Sequence, residues 1–452
     1  MPTSERHIKP PAGDAAIEHR NIRQGEFWRA IPKYRNVDVA TFLDHLWQGQ
    51  NSVKTPLELL ETIKDLVPSS FFDDAREGFR RAPMAVRVSP YVISSIDWTN
   101  PYDDPIRIQF IPLASRMLPD HPRLTLDSLR ERADAPVPGL VHRYTDRALF
   151  LPVSVCPVYC RFCTRSYAVG LDTETVDKTP LATTQRAWQD AFDYIASRPE
   201  IEDVVISGGD AYQLGSKSIT LIGEALLAIP HVRRLRYATK GLAVLPCKIL
   251  TDRPWVDALT RVVERGRRIG KEVVIHTHFN HPAEASWITQ KAVRLLTERG
   301  VTIRNQTVLI RNVNDDPQTM ALLVKRLGWL GMHPYYVYTH DMVKGVEDLR
   351  TSVQTALDLE KVVRGATSGF NTPTFVCDAP GGGGKRDVHS YEHYDRENGI
   401  AVYTAPSVKP ERFFLYFDPI DTLNPAAQRR WESPQIQDEM IGEALAKAGA
   451  GQ

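Results

Sequence analysis

The sequence predicts an α/β protein built on a partial barrel of parallel strands. Three observations point there. From about residue 147, short apolar β-branched runs alternate with amphipathic helical patterns, strand then helix, six times over. Several of the helical patterns open on a cap residue or a proline. A three-cysteine loop leaves the first apolar run, and parallel α/β folds place their chemistry at the carboxyl ends of strands. Eight units would close a full barrel; six predict a partial barrel or an open doubly wound sheet.

Taken in order, residues 1–25 are rich in proline, glycine and charge and predict a flexible or loosely docked arm. Residues 26–140 predict a helical layer packed on the main domain. There Thr55, Pro56 and Glu58 give a cap, a first-turn proline and a first-turn acid, and Leu59, Ile63 and Leu66 share one face. The proline-rich stretch 82–140 holds one strand-like piece, 106–111. In the main domain, 141–365, strands are predicted at 149–155, 204–207, 234–239, 273–279, 301–310 and 335–340. Helices are predicted at 184–196, with Trp188, Phe192 and Ile195 on one stripe, and at 218–229 and 252–268, the last burying Val256, Leu259 and Val263. Others are predicted at 282–299, at 317–330 behind an Asp316 cap, and at 353–364. The alternation stops in 366–422, which holds 374–378, a glycine run and strand-like pieces at 400–404 and 413–417. The tail, 423–452, fits a helix or an unstructured end equally.

Hydrophobic content of 42% and charged content of 25% are those of a soluble globular chain, and a net charge of +1 offers nothing to nucleic acid or an anionic membrane. Five cysteines, three of them clustered, make no disulfide framework and fit a reducing compartment. Residues 1–20 lack an apolar signal core, and no run approaches the roughly 18 apolar residues of a membrane span. The expectation is a cytoplasmic protein.

Two stretches carry chemistry. Cys156, Cys160 and Cys163 stand at C-x3-C-x2-C spacing. An all-cysteine 4Fe–4S cube needs four thiolates, so three leave one iron open to a ligand that is not protein. Zinc would want a fourth ligand, and three buried thiols are the plain alternative. The second stretch runs from Asp378 through Gly381–Gly384 to Lys385. Four glycines let amides converge on an anion, or simply make a flexible surface loop. It is no Walker A loop, since Arg386 follows the lysine. A lysine so placed can form a Schiff base with a carbonyl cofactor such as pyridoxal phosphate (PLP). Arg143 and Arg147 suit a phosphate, or are surface charges.

The Cys motif running on through Thr164 and Arg165, the segment 138–147 and the 378–385 stretch resemble the lysine 2,3-aminomutase family of radical S-adenosylmethionine (SAM), PLP-dependent enzymes. So do 104–112, Ser207-Gly-Gly-Asp210, 277–282, Asn305-Gln306 and 335–338 with Asp341. The resemblance runs from about residue 90 to about 390. It implies a partial (β/α)6 TIM-like barrel of the radical SAM type, with a helical N-terminal layer and a C-terminal segment carrying the PLP lysine and an oligomer interface. Cys156, Cys160 and Cys163 would bind the cluster, and Ser207, Gly208, Gly209, Asp210, His278 and Gln306 would bind SAM. Arg143, Tyr144 and Arg147 would bind PLP, tethered to Lys385 as the catalytic lysine. Arg165 would take the substrate carboxylate, and Asp341 and Asp378 its distal ammonium. The implied reaction is an isomerisation that moves the α-amino group of a cationic L-amino acid to the β-carbon, with lysine foremost and arginine or ornithine as alternatives. Outside that class stand a PLP-independent radical SAM enzyme and a cluster-carrying electron-transfer protein. Flavodoxin or ferredoxin would donate the electron, and a homo-dimer or tetramer is expected. Asp316 follows Val313-Asn-Asp315, and no cysteine follows Cys377, so the structural zinc site of the lysine-specific type is not expected. Arg165 is followed by Ser166 and Tyr167 rather than by further arginines.

Overall fold

Seven parallel strands, one more than the sequence predicts, form the barrel wall in the computed structural model, which describes residues 13–450. They are β2 (Arg147–Phe150), β3 (Asp203–Ile206), β4 (Arg234–Ala238), β5 (Glu272–Thr277), β6 (Thr302–Val308), β7 (His333–Tyr338) and β8 (Thr374–Ala379). Antiparallel β1 (Leu140–Tyr144) and β9 (Gly384–Asp387) complete a nine-stranded sheet in sequential order. The added strand is β8. No helix follows it; the chain turns straight back as β9, which hides β8 from a reading based on strand–helix alternation. The two edge strands do not pair. Tyr144 bridges the gap, its hydroxyl accepting the Lys385 N–H at 2.8 Å.

The helices begin where the cap residues stand. Thr184, Asp252, Asp316 and Ser352 each accept a first-turn N–H, and such a cap contributes about 1 kcal/mol. The helix Arg253–Arg268 buries Trp255, Val256, Leu259, Val262 and Val263, each worth about 1.5–3 kcal/mol against exposure. Two expectations are corrected. The strand-like 106–111 is part of the helix Pro105–Phe110, because Asp104 accepts the N–H groups of Ile106 and Arg107 ahead of a first-turn proline. The expected helix 282–299 breaks after the short turn Pro282–Glu284 and restarts at Trp287–Glu298 behind a Ser286 cap.

The helical N-terminal layer lies against the barrel through named bonds. Tyr91 Oη meets Ser286 Oγ at 2.8 Å and Thr289 Oγ1 at 3.0 Å. Part of the expected arm, 1–12, lies outside the described residues. Further along it, Arg23 donates to the carbonyls of Ser94 and Ser95 at 3.0 and 2.7 Å. After the barrel, β10 (His393–Asp395), β11 (Ile400–Thr404) and β12 (Phe413–Phe417) form a small antiparallel sheet. The tail, open between helix and coil in the sequence, is helical over Pro425–Trp431 and Pro434–Lys447, the second packing on β10 and β11. Among the described residues, no helix is long and apolar enough to cross a membrane.

Candidate active site

A cavity of about 360 Å³ opens beyond the carboxyl ends of the barrel strands, and all the site residues named from the sequence line it. One wall is built by backbone. Beyond β2 the chain stays extended: Gly209 N–H donates to the Val153 carbonyl at 2.6 Å and Asp210 N–H to that of Val155 at 3.1 Å. Gly208 sits at φ +96°, and a Cβ there would drive into the Val153 carbonyl, so the position demands glycine. The Cys loop follows at once. The helical layer pins it through Tyr159 N–H to the Arg87 carbonyl and Arg161 N–H to that of Gln109, both at 2.9 Å. Cys156, Cys160 and Cys163 are free thiols, and burial pushes all three pKa values up. Thiols held this way ionise when a metal takes the charge.

The polar side chains beside the thiols differ in what they leave open. Asp210 is closed, its carboxylate accepting the N–H groups of Tyr212 at 2.8 Å and Lys240 at 2.9 Å. His278 is open: its ring lies 5.4 Å from that of Phe162, and its Nε2 is buried with no hydrogen-bond partner among the described residues. Burial and the nearby Lys240 ammonium keep it neutral, its pKa down at about 3. Gln306 Nε2 bonds His276 Nδ1 at 2.9 Å.

The opposite wall is built by charge. The β8–β9 hairpin sets Asp378 directly opposite Lys385, and Lys385 Nζ lies 3.1 Å from Asp378 Oδ2. Gly381, Gly382 and Gly384 hold positive φ in the turn, and the amides of Gly381 and Gly383 donate to the carbonyls of Ser128 and Ala379. The glycine run is therefore a tight hairpin rather than the flexible surface loop that the sequence left open. Burial works against the Lys385 ammonium, but the Asp378 carboxylate overrides it and raises the pKa well above the usual lysine range. Asp341 accepts the Thr164 hydroxyl. Burial first, then the Asp378 charge, push its pKa up to about 7.

Comparison with known proteins gives the family. A family model described as Lysine-2,3-aminomutase matches residues 360–391, the stretch that carries the hairpin. The L-lysine 2,3-aminomutase of Fusobacterium nucleatum is 38% identical over 82% of this chain and 85% of its own. That of Clostridium subterminale is 36% identical over 80% and 81%. The chain belongs to the lysine 2,3-aminomutase family. It is an aminomutase, and so an isomerase. A glutamate 2,3-aminomutase of Clostridioides difficile is also similar, 32% identical over 76% of this chain and 75% of its own. Likeness by itself therefore does not choose between a cationic and an acidic side chain.

The three arginines that line the cavity are held differently. Arg143 is buried, its Nε 2.8 Å from Asp134 Oδ2, its Nη2 2.5 Å from the Leu129 carbonyl and its Nη1 3.9 Å from Asp378 Oδ1. Arg147 is freer: its guanidinium lies 4.2 Å from the Tyr144 ring centroid and its Nε 3.0 Å from Asp146. Arg165 is gripped by Glu131 through two bonds of 2.7 Å. Glu131 and Lys240, which line the cavity, and Asp134, which holds Arg143, are residues that sequence reasoning did not single out, and it gave Thr164 no role. Glu131 and Asp134 stand three apart just before the recognised 138–147 segment, a usable hint. Their partners, Arg165 and Arg143, follow no periodicity that would reveal them.

Proposed function

We propose that this aminomutase moves the α-amino group of a cationic L-amino acid, lysine foremost, to the β-carbon, with a 4Fe–4S cluster, SAM and PLP as cofactors. One observation carries the reading: a single cavity brings together three free thiols, a lysine amine and two carboxylates. The donor sets fit the groups. Cys156, Cys160 and Cys163 would hold the cluster. SAM would meet Ser207, the backbone of Gly208 to Asp210, Gln306 and the unpartnered Nε2 of His278. PLP would be tethered by Lys385 and held by Arg143, Arg147 and Tyr144, with Arg147 the arginine freest to reach a phosphate. When bound, these groups supply a hydrogen-abstracting carbon radical and the electron delocalisation that lets nitrogen migrate. A protein donor of the flavodoxin or ferredoxin type would supply the electron.

The chain's own residues bind, orient and exclude water. Arg165 receives the α-carboxylate. Asp341 and Asp378 receive the distal ammonium, and charge decides this. The Lys385 ammonium now balances Asp378. Once that nitrogen is engaged by a cofactor, Asp341 and Asp378 are open to another cation, and the side chain of lysine, arginine or ornithine brings one. A glutamate side chain would instead set a second anion against Asp378. At about 4 Å and an effective dielectric near 20, that repulsion costs about 4 kcal/mol, close to a thousandfold in affinity.

The test is an anaerobic assay of reconstituted, reduced protein against lysine, arginine, ornithine and glutamate, with β-amino acids read by mass spectrometry. Turnover of at least one cationic amino acid is expected. Turnover of glutamate alone would overturn the reading.

A further inference from the structure

Half of the Arg165 fork is already occupied. Its Nε and Nη2 donate to Glu131 Oε2 and Oε1, both at 2.7 Å. Glu131 is 3% exposed and stands beside the arginine in the cavity wall. The Tyr167 hydroxyl donates to the same Glu131 Oε2 at 3.1 Å, so the carboxylate is itself fixed. Arg165 lines the cavity, and among the described residues its Nη1 has no hydrogen-bond partner. A guanidinium is flat and offers two edges to carboxylates. With the Nε–Nη2 edge locked, the Nη1–Nη2 edge is the one left for a ligand. Burial opposes the guanidinium charge, but Glu131 more than offsets it.

We propose that Glu131, steadied by Tyr167, is a positioning residue that turns the free edge of Arg165 toward the substrate α-carboxylate. The inference rests on the reading of Arg165 under the proposed function and adds the device that aims it. Two effects of Glu131 compete. Its charge weakens the pull of Arg165 on any second carboxylate, while its geometry fixes where that carboxylate docks. Positioning acts on the reacting geometry, so its loss shows in kcat, and a misplacement of about 1 Å costs tenfold or more.

The experiment compares wild type with Glu131→Gln and Tyr167→Phe. Turnover is normalised to cluster-bearing protomers counted by electron paramagnetic resonance, which removes any misfolded fraction. Glu131→Gln is expected to lower kcat for lysine about tenfold or more, with KM unchanged or lower. The inhibition constant of 1,5-diaminopentane, which is lysine without its carboxylate, stays the same. Tyr167→Phe keeps the ion pair and shows the same pattern at about two- to threefold. A lowered KM with kcat intact would make Glu131 a mere competitor of the substrate and overturn the proposal. Equal changes for lysine and the diamine would make it structural and overturn it too. A wild type inactive on every cationic amino acid overturns the substrate reading and this proposal with it; an active wild type beside either failing pattern overturns this proposal alone.

Discussion

The thiol wall and the lysine wall face each other across one cavity and are held in opposite ways. Behind the thiols, backbone meets backbone: Gly209 and Asp210 bond the carbonyls of Val153 and Val155. Lys240, the nearby cation, is tied to Glu284 at 2.8 Å and to the His278 carbonyl at 2.9 Å. Behind the lysine, charges alternate from Lys409 through Asp134, Arg143 and Asp378 to Lys385, at 2.8, 2.8, 3.9 and 3.1 Å. A wall made by close backbone approach should tolerate lost charge but not added volume. A wall made by alternating charge should tolerate changed shape but not changed sign.

The largest expected effect breaks the walls apart. Cys160→Ala and Lys385→Ala each lower turnover by at least about a thousandfold, but by different routes. Cys160→Ala no longer cleaves SAM on reduction, yet still develops visible absorbance when PLP is added. Lys385→Ala does the reverse. If either variant loses both signals, the two walls are one unit and the contrast fails. Next comes Asp378→Asn, which keeps shape and removes the charge. It removes the main influence raising the Lys385 pKa. Truncating one partner of a buried charge pair costs about 2–5 kcal/mol, so kcat/KM for lysine is expected to fall about a hundredfold while iron content holds. Gly208→Ala is the matching change on the other wall. At φ +96°, with its Cβ pressed on the Val153 carbonyl, it is expected to cost about 1–3 kcal/mol and to lower iron content. Gly215→Ala, which meets no atom within 4 Å, should leave iron content unchanged.

What the sequence revealed follows the same division. Local signals worked: Thr55 and Asp316 cap helices because a cap and its helix are neighbours in the chain. Periodicity found six barrel strands but not β8, which has no helix after it to complete the pattern. Residues 106–111 alternate like a strand, and the Asp104–Pro105 start signal outweighs that pattern. The cysteine spacing and the glycine run marked both walls of the site, since each is a contiguous motif. Glu131 stayed hidden because its partner lies 34 residues away, and an acid in a proline-rich stretch carries no mark of what it will meet. Motifs announce the groups that do chemistry; the side chains that aim them are fixed by the tertiary fold.

Asp341 gives a smaller effect that sharpens the comparison through pH. Its pKa is raised from 3.8 to about 7, by burial and then by Asp378. The fold therefore favours its protonated form. That contribution to stability is full below about pH 4 and is lost as pH rises through about 7, with a slope of at most about 1.4 kcal/mol per unit. Asp341→Asn removes the titration. Its melting temperature relative to wild type should thus climb by a few degrees between pH 4 and 8. A flat difference would mean that Asp341 does not titrate in this range.

The smallest effect lies where the walls touch. Thr164 follows the last cysteine of the thiol wall, and its hydroxyl donates to Asp341 on the lysine wall. That bond favours the ionised carboxylate and restrains the rise in the Asp341 pKa. Thr164→Ala lets the pKa climb further, so less carboxylate is present at neutral pH to meet a distal ammonium. A net hydrogen bond is worth about 0.5–1.5 kcal/mol, which sets the expected rise in KM for lysine at about two- to tenfold. Cluster loading by electron paramagnetic resonance should not change. The reverse result, an intact KM with lost iron, would assign Thr164 to the thiol wall. It would also show that charge and backbone packing cannot be separated at this seam.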